Sequence, residues 1–123
     1  VSDIPHQWLF PRMTTIVHHG GAGTTAAALR AGVPSVIVPY FADQPFWARH
    51  VHQQGASPPP IPREELDSNT LADHLQEAVN EKSVQHNALS LGKKISKENG
   101  VTQAARLIDS YLKVPAGLMR FNP

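Results

Sequence analysis

Between a β-branched apolar run, Met13 to Val17 (MTTIV), and an alanine-rich run ending at Ala31 stand eight residues, His18 to Thr25 (HHGGAGTT). Gly20, Gly21 and Gly23 crowd into four positions of this stretch. Glycine gives up backbone entropy and side-chain burial, so such density marks a place where something approaches the main chain closely. The flanks say what the stretch joins. MTTIV reads as a short buried strand ending at the histidines. TTAAALRA, Thr24 to Ala31, reads as a helix that a threonine hydroxyl caps and that Gly32-Val33-Pro34 stops. Ser35 to Val38 (SVIV) is a second buried strand, closed by Pro39. Strands alternating with helices imply right-handed parallel β-α-β units, hence an α/β chain.

Further along, Gln44 to Gln53 reads as a helix with Pro45 in its first turn and Gly55 beyond its end. Ala56 to Ile61 is expected as a third parallel strand, restricted to an edge by Pro58-Pro59-Pro60. The rest is helical: Leu71, Leu75, Ala78 and Val79 share one face, as do Val84, Ala88, Leu91 and Ile95. Asn99-Gly100 breaks the pattern before a last run with Ala104, Ile108, Tyr111 and Leu112 on one side, and residues 114–123 form an irregular tail.

Charge is nearly balanced, 11 Lys+Arg against 10 Asp+Glu, without the clustered cations that nucleic acid requires. The absence of cysteine removes disulfide and thiolate chemistry. No apolar run approaches the roughly 18 residues of a membrane span. His50 and His52 differ by two positions on a helix and do not share a face, and no third ligand clusters with them, so no metal site is expected.

A strand, a glycine turn and a helix start, in that order, make an anion site: free N–H groups and the positive dipole end face the same point. Gly21 and Gly23 open the backbone, Thr24 and Thr25 add hydroxyl donors, and His19 can donate to a phosphate oxygen. A tight turn with packing glycines is the plainer alternative. Dinucleotide binding is a third, because Gly21 to Ala26 matches G-x-G-x-x-A with Asp43 downstream. That fingerprint places the acid at a strand tip, whereas Pro39 to Ala42 set Asp43 in a loop, where Asp43-Gln44 suits sugar hydroxyls better.

The stretch HHGGAGTTAAALRAGVPSVIVPYFADQPFWA resembles the donor-binding signature of nucleotide-sugar glycosyltransferases of the GT-B fold, of the sterol and antibiotic glucosyltransferase kind. The resemblance spans roughly Pro5 to Gln54, and the later helices have the spacing of that family's C-terminal end. It implies a three-layer Rossmann-like sheet and the C-terminal, donor-binding part of an enzyme that moves a hexose, glucose by preference, from a UDP-sugar to a hydroxyl of a lipid, sterol or natural product. Inversion, no metal and no cofactor beyond the sugar nucleotide are implied as well. His19 falls where the family places a histidine on the diphosphate. Gly21, Gly23, Thr24 and Thr25 fall in its phosphate cradle, and Asp43 and Gln44 fall where an acid–glutamine pair holds the sugar. Pro5-His6 resembles an element bordering the nucleoside. The chain departs from plant members at Ala27, where those carry a glutamate for the ribose.

His18 is expected to be structural, pointing opposite His19 by strand alternation. Trp8 and Phe10 either border the nucleoside or pack beneath the loop. Phe46 and Trp47 are expected in the core, and Glu64, Glu65 and Asp67 at a solvated helix entrance. In the family the base that deprotonates the acceptor lies on an N-terminal domain, and the chain opens on Val1 without that domain's residues. It is therefore expected to be an incomplete donor domain over 1–123, inactive alone, with an N-terminal acceptor domain or subunit as partner. The alternative is a non-catalytic nucleotide-sugar-binding module serving a separate acceptor subunit. Location in the cytoplasm, with an acceptor at a membrane surface, follows from the resemblance. An exposed edge at Met13–His18 is expected to make the fragment self-associate.

Overall fold

The computed structural model describes residues 4–112. A single helical turn, α1 (His6–Leu9), runs into a 3₁₀ turn (Phe10–Arg12). Strand β1 (Ile16–His18), helix α2 (Ala22–Ala31), strand β2 (Ser35–Ile37) and helix α3 (Gln44–Gln53) follow. After a 3₁₀ turn at Arg63–Glu65 come α4 (Ser68–Asn80), α5 (Lys82–Ile95) and α6 (Gly100–Leu112). The expected irregular tail at 114–123 lies outside the described residues.

β1 and β2 pair in parallel with Ile16 opposite Ser35, Val17 opposite Val36 and His18 opposite Ile37. Alternation along β2 then sends neighbouring side chains to opposite layers. Val36 and Val38 pack with Ile61 against Ala78, Leu71 and Leu75 of α4. Ile37 packs on the other side against Ala48 and Val51 of α3 and Ala88 of α5. Beside it, Ile16 and Val33 meet Phe10 and Ala28, which seats the 3₁₀ turn on α2. The result is the expected three-layer α/β arrangement. Full burial of each valine or isoleucine side chain in these layers is worth about 1.5–3 kcal/mol.

The expected third strand at Ala56–Ile61 is not a strand among the described residues. The segment does run beside β2: the Ser35 N–H donates to the Ala56 carbonyl at 3.4 Å, and the Ile61 N–H donates to the Ile37 carbonyl at 3.0 Å. Between those two bonds, Pro58, Pro59 and Pro60 carry no N–H, so no continuous ladder forms. β1 is also shorter than Met13–His18, because the 3₁₀ turn holds the chain up to Arg12 and the Met13 N–H bonds back to the Phe10 carbonyl.

Two glycines fix how α5 meets α2. Gly32 ends α2 in the left-handed region (φ 68°) with its N–H on the Ala28 and Leu29 carbonyls. A Cβ on Gly92 of α5 would lie 2.7 Å from Gly32 Cα and 2.8 Å from the Leu29 carbonyl oxygen. Two backbones therefore touch where side chains would otherwise separate them. Asp67 caps α4 through a 2.8 Å bond from the Thr70 N–H, so of the acidic trio only Asp67 enters that helix start.

Candidate functional site

The glycine stretch emerges from β1 at the carboxyl end of the sheet, where ligands settle in open α/β folds. α2 begins at Ala22, with Gly21 at its N-cap and no side chain capping it. The expected threonine cap is thus not made: Thr24 and Thr25 lie inside the first turn, and the Thr25 N–H already bonds to the Gly21 carbonyl at 2.9 Å. The Thr25 hydroxyl is buried without a hydrogen-bond partner. The N–H groups of the first residues have no intrahelical acceptor and remain open to an incoming anion.

His18 and His19 part company as strand alternation requires. His18 is buried, and its Nδ1 accepts the Gly20 N–H at 3.0 Å while Nε2 finds no partner. Burial chiefly, and the neighbouring His19 next, lower its pKa from 6.5 to about 4, so it is neutral at pH 7. His19 is exposed, and its ring lies over Gly21: a Cβ there would sit 2.5 Å from His19 Nε2. Gly21 leaves room for that imidazole, which would have to swing aside to admit a Cβ. Gly23 differs, since a Cβ there would meet nothing within 4 Å, which leaves open space at the start of α2.

Gly20, at φ 88°, closes the turn against the second loop, with its missing Cβ 3.1 Å from the Gln44 carbonyl oxygen. That contact brings the glycine stretch and the Asp43-Gln44 pair together. Gln44 is buried, and its Oε1 accepts from the Tyr40 N–H at 2.8 Å and the Phe41 N–H at 3.2 Å. The side-chain amide nitrogen is left as the free donor. The loop it gathers contains Ala42 at φ 57°, a left-handed conformation costly for a residue with a Cβ. Asp43 is exposed at the end of this loop, and its Oδ2 accepts from Trp47 Nε1 at 2.9 Å. Asp43 stands apart from the tip of β2, unlike the ribose-binding acid of a dinucleotide fold.

On the opposite flank of α2, a groove of about 290 Å³ is lined by Gln7, Pro11, Gly23, Ala27, Arg30 and Ala31. Sequence reasoning pointed to His6, whose ring instead stacks on Phe10 at 4.4 Å. Phe10 is buried beneath the loop, whereas Trp8 is exposed with the Arg12 guanidinium 4.2 Å above its ring. Gln7 and Arg30 were not singled out, and no motif marks them: only the packing of the Phe10–Arg12 turn on α2 brings them to one groove. Phe46, expected in the core, is 55% exposed and stacks with His50 at 6.0 Å. Among the described residues no group of His, Asp or Glu is arranged to hold a metal ion, and no helix is long and apolar enough to cross a membrane.

Residues 1–108 match the family described as erythromycin biosynthesis protein CIII-like, C-terminal domain. The chain belongs to that family. This EryCIII-like domain is 45% identical over 112 residues to the sterol 3-beta-glucosyltransferase UGT80A2 of Arabidopsis thaliana, covering 91% of the chain and 17% of the plant protein. It is 41% identical over 111 residues to the O-mycaminosyltylonolide 6-deoxyallosyltransferase of Streptomyces fradiae, covering 90% of the chain and 26% of that protein. The crystal structure of the glycosyltransferase VinC in complex with DTDP superposes with a TM-score of 0.81 at 30% identity, over 89% of the EryCIII-like domain and 28% of VinC. The fold is that of the C-terminal domain of GT-B glycosyltransferases. The chain spans about a quarter or less of the length of the two sequence relatives named.

Proposed function

We propose that the EryCIII-like domain is the donor-binding part of a glycosyltransferase that moves a hexose from a nucleoside diphosphate to a hydroxyl of a lipid, sterol or natural-product acceptor. One observation carries this reading: His19, the open N–H groups of α2 and the loop ordered by Gln44 converge through the Gly20–Gln44 contact. The diphosphate sits at the start of α2, within reach of His19 and the Thr24 hydroxyl. Asp43 and the Gln44 amide face the sugar hydroxyls.

The acceptor oxygen attacks the anomeric carbon from the face opposite the diphosphate, the C–O bond to phosphate breaks, and configuration inverts. Negative charge then grows on the departing diphosphate. Fixed N–H dipoles and the His19 donor stabilise it where it develops, without a metal. The acceptor proton leaves to a base on the acceptor-binding part of the complete protein, so the domain alone is inactive. The similarity to a sterol glucosyltransferase and to a macrolide sugar transferase supports the acceptor class. Glucose and UDP are the first donor to try.

Calorimetry of the complete protein with UDP tests the site. His19→Ala removes one charge-assisted contact and should cost about 1.5–3 kcal/mol of affinity. Unchanged UDP binding would remove the diphosphate from this helix start.

A further inference from the structure

Asp67 and Asp43 both stand at the start of a helix and behave differently there. Asp67 precedes α4 in extended backbone (φ −135°) and caps it, accepting the Thr70 N–H at 2.8 Å. Asp43 precedes α3, and its side chain makes no capping bond. Its backbone is already helical (φ −82°, ψ −7°), and Pro45 in the first turn has no N–H to offer. The Asp43 carboxylate is thus without the local bond that fixes an aspartate at most helix starts.

Trp47 supplies a bond in its place. One turn along α3, its backbone N–H donates to the Asp43 carbonyl at 3.1 Å, and its indole Nε1–H donates to Oδ2 at 2.9 Å. The indole is itself braced. It stands edge-on to the Phe46 ring at 5.1 Å and to the His50 ring at 6.5 Å, while Phe46 and His50 lie parallel at 6.0 Å. An indole N–H donates and never accepts, so it holds one carboxylate oxygen without drawing on a ligand's hydroxyl protons. Oδ1 makes no hydrogen bond among the described residues and is left to accept one.

We infer that Trp47 is a positioning residue for the transferred sugar: by holding Oδ2 it presents Oδ1 of Asp43 as a fixed acceptor for one hexose hydroxyl. The inference rests on the donor-binding role proposed above. Trp47 acts through Asp43 and touches neither nucleotide nor sugar. A carboxylate fixed before the sugar arrives loses little further rotamer freedom on binding it. The indole therefore bears on the sugar half of the donor and not on the diphosphate.

Calorimetry of the complete protein with UDP-glucose and with UDP tests it. Trp47→Phe keeps an aromatic ring without the donor, and should weaken UDP-glucose about tenfold while UDP changes by less than about twofold. Trp47→His should recover most of that loss, because imidazole Nε2 takes the place of indole Nε1 in the five-membered ring. In an Asp43→Ala background the Phe substitution should add nothing, since no carboxylate remains to be positioned. Equal losses in Trp47→Phe and Trp47→His, or UDP weakened as much as UDP-glucose, overturn the inference. So does a Phe effect undiminished in the Asp43→Ala background. Should Trp47→Phe fail to fold, Trp47→His decides alone: UDP-glucose affinity close to wild type supports the inference, and a tenfold loss overturns it. A wild type that binds no UDP instead defeats the donor-binding role itself.

Discussion

The Nδ1 atom of His18 accepts the N–H of Gly20 at 3.0 Å, so the ring that ends β1 also holds the first residue of the glycine turn. Only a neutral imidazole can accept at that nitrogen. The folded pKa of about 4 lies below the 6.5 of the unfolded chain, so between those values the unfolded state binds more protons. The stabilisation is complete above pH 6.5 and is lost as the pH falls through 6.5 toward 4, to a total of about 3 kcal/mol. Denaturant unfolding at a series of pH values should show this decline, and His18→Asn, which keeps an acceptor that does not titrate, should flatten it. An equally steep decline in the variant would place the titrating group elsewhere.

Gln44 does two things that separate by substitution. Gln44→Ala strands the Tyr40 and Phe41 N–H groups and should destabilise the fold by about 1–3 kcal/mol. Gln44→Glu keeps an acceptor for both but loses the free amide donor, so it should retain stability while turnover of the sugar donor falls and UDP affinity holds. Equal stability losses in the two variants would deny the acceptor role of Oε1.

Gly92→Ala measures the contact between α5 and α2. Alanine is the better helix former by about 1 kcal/mol, yet its Cβ would meet the Gly32 and Leu29 backbones at 2.7–2.9 Å. We expect a net loss of about 1–3 kcal/mol, the usual cost of an overpacked contact. A stabilised variant would mean that the two helices part easily.

The separated chain should self-associate. Val17 on the edge strand is 49% exposed, beside a cleft that it lines with Val38, Leu66 and Leu71, and Leu107, Ile108, Tyr111 and Leu112 of α6 stand in solvent. Light scattering should give a mass above the monomer at high concentration, reduced by Val17→Lys on the β1 edge. A monomer throughout would refute this.

Much of this architecture was legible because β-branched and glycine residues alternate so sharply between Met13 and Val38. The glycine density was legible as a tight turn too, since Gly20 takes a left-handed conformation against the Gln44 backbone. Three features were not. The proline run removes donors without removing the segment from its place beside β2, so a strand was expected where a tethered strip stands. The helix start shifts because Gly21 caps with its backbone conformation and leaves the threonines free. The groove of Gln7 and Arg30 depends on how the Phe10–Arg12 turn docks on α2, a tertiary contact that no local pattern encodes.

The bond from Trp47 Nε1 to the Asp43 carboxylate gives the domain an optical reporter at the end of the loop that Gln44 gathers. Indole emission responds to a negative charge held beside the ring nitrogen. On the proposed donor-binding role, a hexose that engages Asp43 would compete for the same carboxylate and alter that charge, so the colour of the emitted light should track occupancy. Trp8, exposed beneath Arg12, supplies the background and is removed by Trp8→Phe. With Trp47 the one tryptophan left in the domain, a nucleotide with its sugar and the same nucleotide without it should become distinguishable in a cuvette, with no label and before any bond is broken.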